Sequence, residues 1–498
     1  MNDFLILALD QGTTSSRSLL IDSQGVMVDL AQETFEQIYP EPGWVEHEPL
    51  TIWHSQLNTA KQLVNSDRLK NIKAIGITNQ RETTLLWHAD TGKPLCNALV
   101  WQDKRSAYIC EDLIEKGWAD YIKAETGLMV DAYFSATKIA WVLEHVPESK
   151  ALMAQGKLRF GTVDSWLLWN LTGGNSHATD YSNASRTMLF NIKTGEWDAK
   201  LLELLGISPS ILPEVKSSNA YFGETLPELF GEAIPIYGIA GDQQSALFGQ
   251  LCLNKGEAKV TYGTGAFLLM NSGYQMPPSA NGLLTTIAWK LDNQPIVYAL
   301  EGAVFVVGAV IKWLIEELGL FATPKESESI AYSVPDNGGV YFVPAFVGLG
   351  APHWDMYARG SIFGLTRGTK KAHLVRAALE SIGYQVNDLL QAMQKDANAP
   401  LLELKTDGGV SQNNFLLQFQ ADLLGCDIHR GRAEVTAYGA AYLAGLGAGL
   451  WSIDDLKALK TSQQSLFSPK IAKEDAQKLT SRWNRAIERA KHWIETED

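Results

Sequence analysis

The stretch LALDQGTTSSRSLLID, residues 7–22, sets an apolar run against an aspartate, a glycine and a cluster of hydroxyl residues, then turns apolar again. Two apolar runs flanking a Gly-containing turn predict a β-hairpin whose Thr and Ser residues simply suit the turn. The same turn could also hold an anion. The backbone N–H groups of Gly12, Thr13 and Thr14, with their hydroxyls, can form a nest for phosphate. Choosing between a plain turn and a phosphate loop requires the rest of the chain.

A chain of 498 residues exceeds what one hydrophobic core usually spans and predicts two large domains, or three. With 42 basic and 56 acidic residues, the net charge of −14 gives no electrostatic footprint for nucleic acid or anionic lipid. An anionic substrate therefore needs a local basic or N–H-rich site. Cys96, Cys110, Cys252 and Cys426 are scattered without a CxxC pair and read as core thiols in a reducing compartment, with no zinc site. No signal peptide is read at the N-terminus, which predicts a cytoplasmic location. Two segments mimic membrane spans: 296–314, interrupted by Glu301, and 436–451, uncharged but short. Neither reaches the roughly 20 clean apolar residues of a bilayer helix, so no membrane insertion is expected. The second, rich in Gly and Ala, reads as a buried helix packed closely on a neighbour.

Short apolar runs alternate with amphipathic stretches through the first half, which predicts an α/β fold. AKVTYGTGAFLLM, 258–270, then repeats the opening pattern of strand, Gly/Thr turn and strand, so the sequence reads as starting twice. The division falls near residue 250, giving domains 1–250 and 251–498. A third stretch, LKTDGGVSQNNFLLQFQADLLG (404–425), reads as strand, Asp-Gly-Gly turn and helix; Gly408 and Gly409 there let the backbone approach a flat ligand closely. Near the end, Leu479, Trp483, Ile487, Ala490 and Ile494 recur at helical spacing, predicting a helix over 473–495 that docks one face. Neither GxxxxGK[ST] nor a strand-to-helix GxGxxG occurs, so the common nucleotide motifs are absent. The turns at 10–17 and 262–266 could instead hold a polyphosphate between two lobes.

Longer motifs now weigh in. LALDQGTTSSR, YPEPGWVEHEP (39–49), GITNQRETT (76–84), VWQDKR (100–105), YFSATKIAWVLEH (133–145), GIAGDQQSALFGQ (238–250), GTGAFLLM (263–270), VGLGAPHWDMYARGSIFGLTRG (347–368) and EVTAYGAAYLAG (434–445) together span nearly the whole chain. In them the sequence resembles the FGGY carbohydrate kinases of the actin-like ATPase superfamily, and it is most similar to those members that phosphorylate glycerol. The resemblance implies two ribonuclease-H-like lobes closing over ATP and Mg²⁺ in an interlobe cleft, glycerol as the acceptor, and assembly into a homo-oligomer.

It also implies roles for residues in the matched motifs. Arg81, Glu82, Tyr133, Asp242 and Gln243 are expected to pair with the polyol hydroxyls, and Trp101 and Phe267 to wall the carbons. Asp242 is expected to act as general base, and Asp10 to hold Mg²⁺ through water, with Asp242 as its companion. Thr13, Thr14, Ser15 and Thr264 are expected to bind the β- and γ-phosphates, with Arg17 offsetting charge on the transferring group. Gly308, Gly409 and Asn413 are expected to frame the adenosine. Read without the motifs, Arg81 and Glu82 would pass for a solvated surface pair, and Trp101 and Phe267 for core aromatics. Trp87, Trp141 and Trp169 keep the core reading.

Two rivals follow from the same residues. One is an FGGY kinase for a pentulose, pentitol or gluconate; the other is a nucleotide-gated clamp of the actin kind, which shares the phosphate loops but lacks the Arg-Glu and Trp pocket. Many bacterial relatives also carry, before the GDQQ segment, a Gly-rich loop ending in Arg that binds a phosphosugar inhibitor, and others are activated by phosphorylation of a histidine in this region. Here the stretch is FGETLPELFGEAIPIYG (222–238), with Glu224, Glu228 and Glu232 and no Arg or Lys, and no histidine lies between His177 and His353. Insensitivity to fructose 1,6-bisphosphate and to histidine phosphorylation is the expectation.

Overall fold

The computed structural model describes residues 4–459 and 465–495. The fold is α/β, with two mixed sheets in two lobes. The opening stretch forms a hairpin, Leu5–Gln11 against Ser15–Asp22, in which Asp10 lies across from Arg17. Met27–Thr34 extends the hairpin on one side; Ile72–Asn79 and Pro235–Gly241 join in parallel on the other, and Gly223–Glu224 closes the edge antiparallel. The second sheet follows the same plan. Its hairpin is Glu257–Tyr262 against Ala266–Gly273, extended by Val297–Val304. Glu403–Gly408 and Ile428–Arg430 add in parallel, Ser465–Phe467 closes antiparallel, and Leu284–Trp289 lies beyond Val297–Val304. The second start read at 258–270 is this second hairpin.

Leu5–Gln11 shows no polar alternation because both of its faces are covered. Leu7 and Leu9 pack with Leu20, Ile75, Ile77 and Trp166, whereas Ile6 and Ala8 pack with Ala437, Ala441 and Ala444. The latter three belong to the helix Val435–Gly447, so a helix from the far end of the chain covers the first sheet. Its Gly and Ala residues permit the close approach that the composition suggested. A Cβ at Gly439 would run into the carbonyl oxygen of Ser245, in the helix Asp242–Gly249. Although the sheets change near residue 250, one core therefore contains residues of both halves.

The membrane-like segment 296–314 is the strand Val297–Val304 followed by the helix Gly308–Glu316, and among the described residues no helix is long and apolar enough to cross a membrane. Trp87 is fully buried, with Trp169 packed beside its core and Trp141 partly buried in another. Near the C-terminus the helix is Lys473–Ala490, and Trp483, Ile487 and Ala490 enter the second core. Ile494 does not share that face. The helix stops at Ala490, and Ile494 lies beyond it, exposed, with its backbone N–H on the Tyr357 carbonyl.

Candidate active site

The first hairpin turn is braced by side chains. Its own backbone supplies one bond, Gly12 N–H to the Ser15 carbonyl at 2.9 Å, and leaves Thr13 and Thr14 at the tip. Gln80 Nε2 donates to Gln11 Oε1 at 3.0 Å and to the Gly12 carbonyl at 3.1 Å, while Thr83 Oγ1 donates to Gln80 Oε1. Trp101 Nε1 donates to Thr13 Oγ1 at 3.1 Å, and its backbone N–H to Thr83 Oγ1. The segment 79–84, which carries Arg81 and Glu82, thus also holds the turn. Gln80, Gln11 and Thr83 were not read from the sequence as site residues; an amide inside NQRETT was the only available signal.

Because Asp10 and Arg17 are cross-strand partners, they share a face, and Glu434, at the start of the crossing helix, meets them there. Arg17 Nη1 pairs with Glu434 Oε2 at 2.8 Å and Nε donates to Gln32. Arg17 was expected to serve the transferring phosphoryl group. Two of its three nitrogens are instead engaged here, so contact with phosphate requires Nη2 or release from Glu434. Burial pushes the Asp10 carboxyl up to about 7; Arg17 opposes this, and the Glu434 and Asp242 carboxylates add to it.

Arg81 and Glu82 are not a surface pair. They belong to a buried cluster of two cations and two anions with Arg186 and Glu301, each no more than 3% exposed. Arg81 is bidentate on Glu301, at 2.5 Å from Nη1 and 3.0 Å from Nη2, and Arg186 joins Glu82 at 2.6 Å and Glu301 at 3.0 Å. Burial pushes Glu301 up, yet Arg186, Arg81 and Lys259 outweigh it and bring the carboxyl down to about 2. Burial raises Glu82 against the pull of Arg81 and Arg186. Glu82 also has φ +62, a strained conformation for a non-glycine residue. Removing one member of such a cluster leaves an uncompensated charge, so the group holds Arg81 firmly.

At the open end of the cluster, Arg81 Nε lies 3.2 Å from Asp242 Oδ1. Asp242 is the first residue of the helix Asp242–Gly249, and the Gln243 N–H also donates to Oδ1, at 2.6 Å. Gly241 makes the approach possible, since a Cβ there would sit 2.7 Å from Arg81 Cγ. Half-buried Tyr133 meets Trp101 edge to face at 5.5 Å, and the Arg186 guanidinium lies 5.7 Å from the Tyr133 ring. Phe267 comes from the other lobe, across from Thr261 and Ala303 in the second sheet. Among the described residues no ring contact joins Phe267 to Trp101, so the two aromatics expected to form one wall stand on opposite lobes.

The second turn, Gly263–Gly265, opens into a cleft of about 1910 Å³. Thr264, Gly308, Gly409 and Asn413, read from three separate motifs, all line it, with Lys312, Trp313 and Phe346 among the other walls. Gly308 lies against the turn, where a Cβ would be 2.6 Å from the Gly263 carbonyl oxygen. Asn413 caps the helix Asn414–Leu424 through the Leu416 N–H. Ser15 is buried at the start of its strand.

A cation site was tested against this geometry. Asp10 and Asp242 are oxygen donors, with the Asp242 carboxylate near enough to raise the charge cost of Asp10, and burial already disfavours the Asp10 anion. Among the described residues no group of three His, Cys, Asp or Glu forms a metal cage. This donor set fits Mg²⁺, which keeps several waters and usually takes one or two carboxylates with substrate phosphates.

Comparison with known proteins gives the chain its family and fold. Residues 5–249 match the N-terminal domain of the FGGY family of carbohydrate kinases, and residues 258–448 match its C-terminal domain. The chain is 55% identical over 496 residues to a glycerol kinase of Symbiobacterium thermophilum, covering 99% of each. It is 54% identical over 493 residues to one of Petrotoga mobilis, covering 98% of this chain and 99% of that one. The crystal structure of Plasmodium falciparum glycerol kinase with ADP superposes with a TM-score of 0.94 at 39% identity, covering 99% of both chains. A gluconate kinase from Lactobacillus acidophilus, at 23% identity and a TM-score of 0.84, shares the fold.

Proposed function

The chain belongs to the FGGY family of carbohydrate kinases, and from that premise we propose that it transfers the γ-phosphoryl group of ATP to glycerol, yielding sn-glycerol 3-phosphate and ADP in the cytoplasm. The observation that carries this reading is full-length identity of 53–55% to glycerol kinases, joined to an Arg81 fixed by Glu301 and turned to Asp242. Arg81, Glu82, Tyr133 and Gln243 bind the hydroxyls, and Trp101 and Phe267 enclose the carbons once the lobes close.

The reacting hydroxyl gives its proton to Asp242 as its oxygen bonds to the γ-phosphorus, and ADP leaves with the electrons of the broken P–O bond. Asp242 Oδ1 is occupied by Arg81 and the Gln243 N–H, which leaves Oδ2 for that proton. Thr13, Thr14, Ser15 and Thr264 hold the β- and γ-phosphates from the two turns, with Arg17 reaching the transferring group. Gly308, Gly409 and Asn413 frame the adenosine. Asp10, through water, and Asp242 would hold Mg²⁺, which when bound neutralises phosphate charge.

A coupled assay over glycerol, dihydroxyacetone, xylulose, ribulose and gluconate tests the reading. Glycerol is expected to give the highest kcat/KM; a higher value for a pentulose or gluconate would overturn the assignment.

A further inference from the structure

We propose that Lys259 is a positioning residue for the acceptor site, turning the Gln243 side-chain amide so that its NH2 group faces an acceptor hydroxyl. This rests on the reading of Gln243 as a glycerol contact. In the strand Glu257–Tyr262, Ala258, Val260 and Tyr262 fill the second core, whereas Lys259 and Thr261 point the other way. Across the sheet Lys259 pairs with Leu269, and Leu269 with Glu301, so one cross-strand row carries both buried charges toward the first lobe. Lys259 is fully buried, an unusual place for a lysine unless its ammonium has a task.

Lys259 Nζ donates to Gln243 Oε1 and, at 3.0 Å, to Thr261 Oγ1. An ammonium has three donors and no acceptor, so only the oxygen of an amide can face it. The usual two-fold ambiguity of a glutamine is thereby removed. Gln243 Nε2 must then point away from Lys259, and among the described residues it has no protein partner. Asp242, beside it, accepts the proton of the reacting hydroxyl, and Gln243 supplies a donor for an adjacent hydroxyl oxygen. Asp407, Asp242, Arg81 and Glu301 are the charges around Lys259. A role confined to balancing them needs no bond to Gln243.

The test is steady-state kinetics on the full chain with Gln243→Ala, Lys259→Met and the double variant. Each single change should raise KM for glycerol about fivefold to tenfold, the worth of one hydrogen bond, with KM for ATP within about twofold. The double should be no worse than Gln243→Ala alone, because Lys259 acts through that amide. Gln243→Glu keeps an acceptor for Lys259 but offers the hydroxyl no donor; it should match Gln243→Ala in KM at an unchanged Tm, and it keeps the test open if Lys259→Met does not fold. Multiplying effects in the double, or a wild-type KM in Gln243→Glu, would overturn the role of Lys259. If Gln243→Ala itself leaves KM for glycerol unchanged, the failure lies instead with Gln243 as a glycerol contact.

Discussion

In the first sheet Asp10 and Gln11 lead into the hairpin turn and Arg17 returns across from Asp10; in the second, Thr261 and Tyr262 lead in and Phe267 stands where Arg17 does. Both turns begin Gly-Thr, and both sheets continue with two parallel strands. The first turn is held by side chains, through Gln80 and Trp101. The second is held by backbone: the N–H groups of Val307, Gly308 and Ala309 donate to the Gly263 and Thr264 carbonyls at 3.0–3.1 Å. A duplicated scaffold thus offers two similar turns, but charge is concentrated at one. Asp10, Arg17, Asp242 and Glu434 gather around the first hairpin, where the proposed phosphoryl transfer occurs, while the second opens on the cleft of about 1910 Å³ proposed here for the nucleoside.

The contrast assigns different losses to the two sides. Asp242→Asn, nearly isosteric but unable to take the proton, should lower kcat by ~10²–10⁴ with nucleotide affinity retained, the usual contribution of a general base. A variant within about threefold of wild type, too small for a lost base, would remove Asp242 from that role. On the second side, Gly308→Ala puts a methyl 2.6 Å from the Gly263 carbonyl oxygen, where backbone must yield. We expect KM for ATP to rise about tenfold, about 1.4 kcal/mol and so toward the lower end of the usual cost of overpacking, with KM for glycerol unchanged. Equal losses for both substrates would erase the division between the sides.

Trp101→Phe retains the ring but deletes the bond to Thr13. A threefold to tenfold fall in kcat/KM, about the worth of a hydrogen bond, is expected; no change would mean that Gln80 holds the first turn without Trp101. The smallest effect concerns the loop before Asp242, where Glu224, Glu228 and Glu232 are exposed in a stretch without Arg or Lys. Carboxylates there repel a phosphosugar. Millimolar fructose 1,6-bisphosphate should leave the rate unaltered at constant free Mg²⁺, and saturable inhibition would overturn that expectation.

The sequence by itself determined what is local. Strand, turn and strand at 7–22, the repeat of that pattern at 258–270, and a close-packing Gly/Ala helix at 436–451 all follow from spacing and residue size within a few turns of chain. Its long motifs also marked Arg81, Asp242, Thr264 and Asn413 as residues worth watching. What only the tertiary structure decided is who holds them. Glu301 looked like a flaw in an apolar segment, and Lys259 was not singled out at all; each carries a signal, a charge amid apolar neighbours, that announces a buried partner without naming it. For Glu301 the partner is Arg81, 220 residues away, and Arg186, which sits in no periodic pattern, completes the group. Ile494 failed for the converse reason, since helical spacing runs on past the point where the backbone actually turns. A buried charge is tolerated only where packing delivers its counter-charge, and that delivery depends on how the two lobes meet, which no local period encodes.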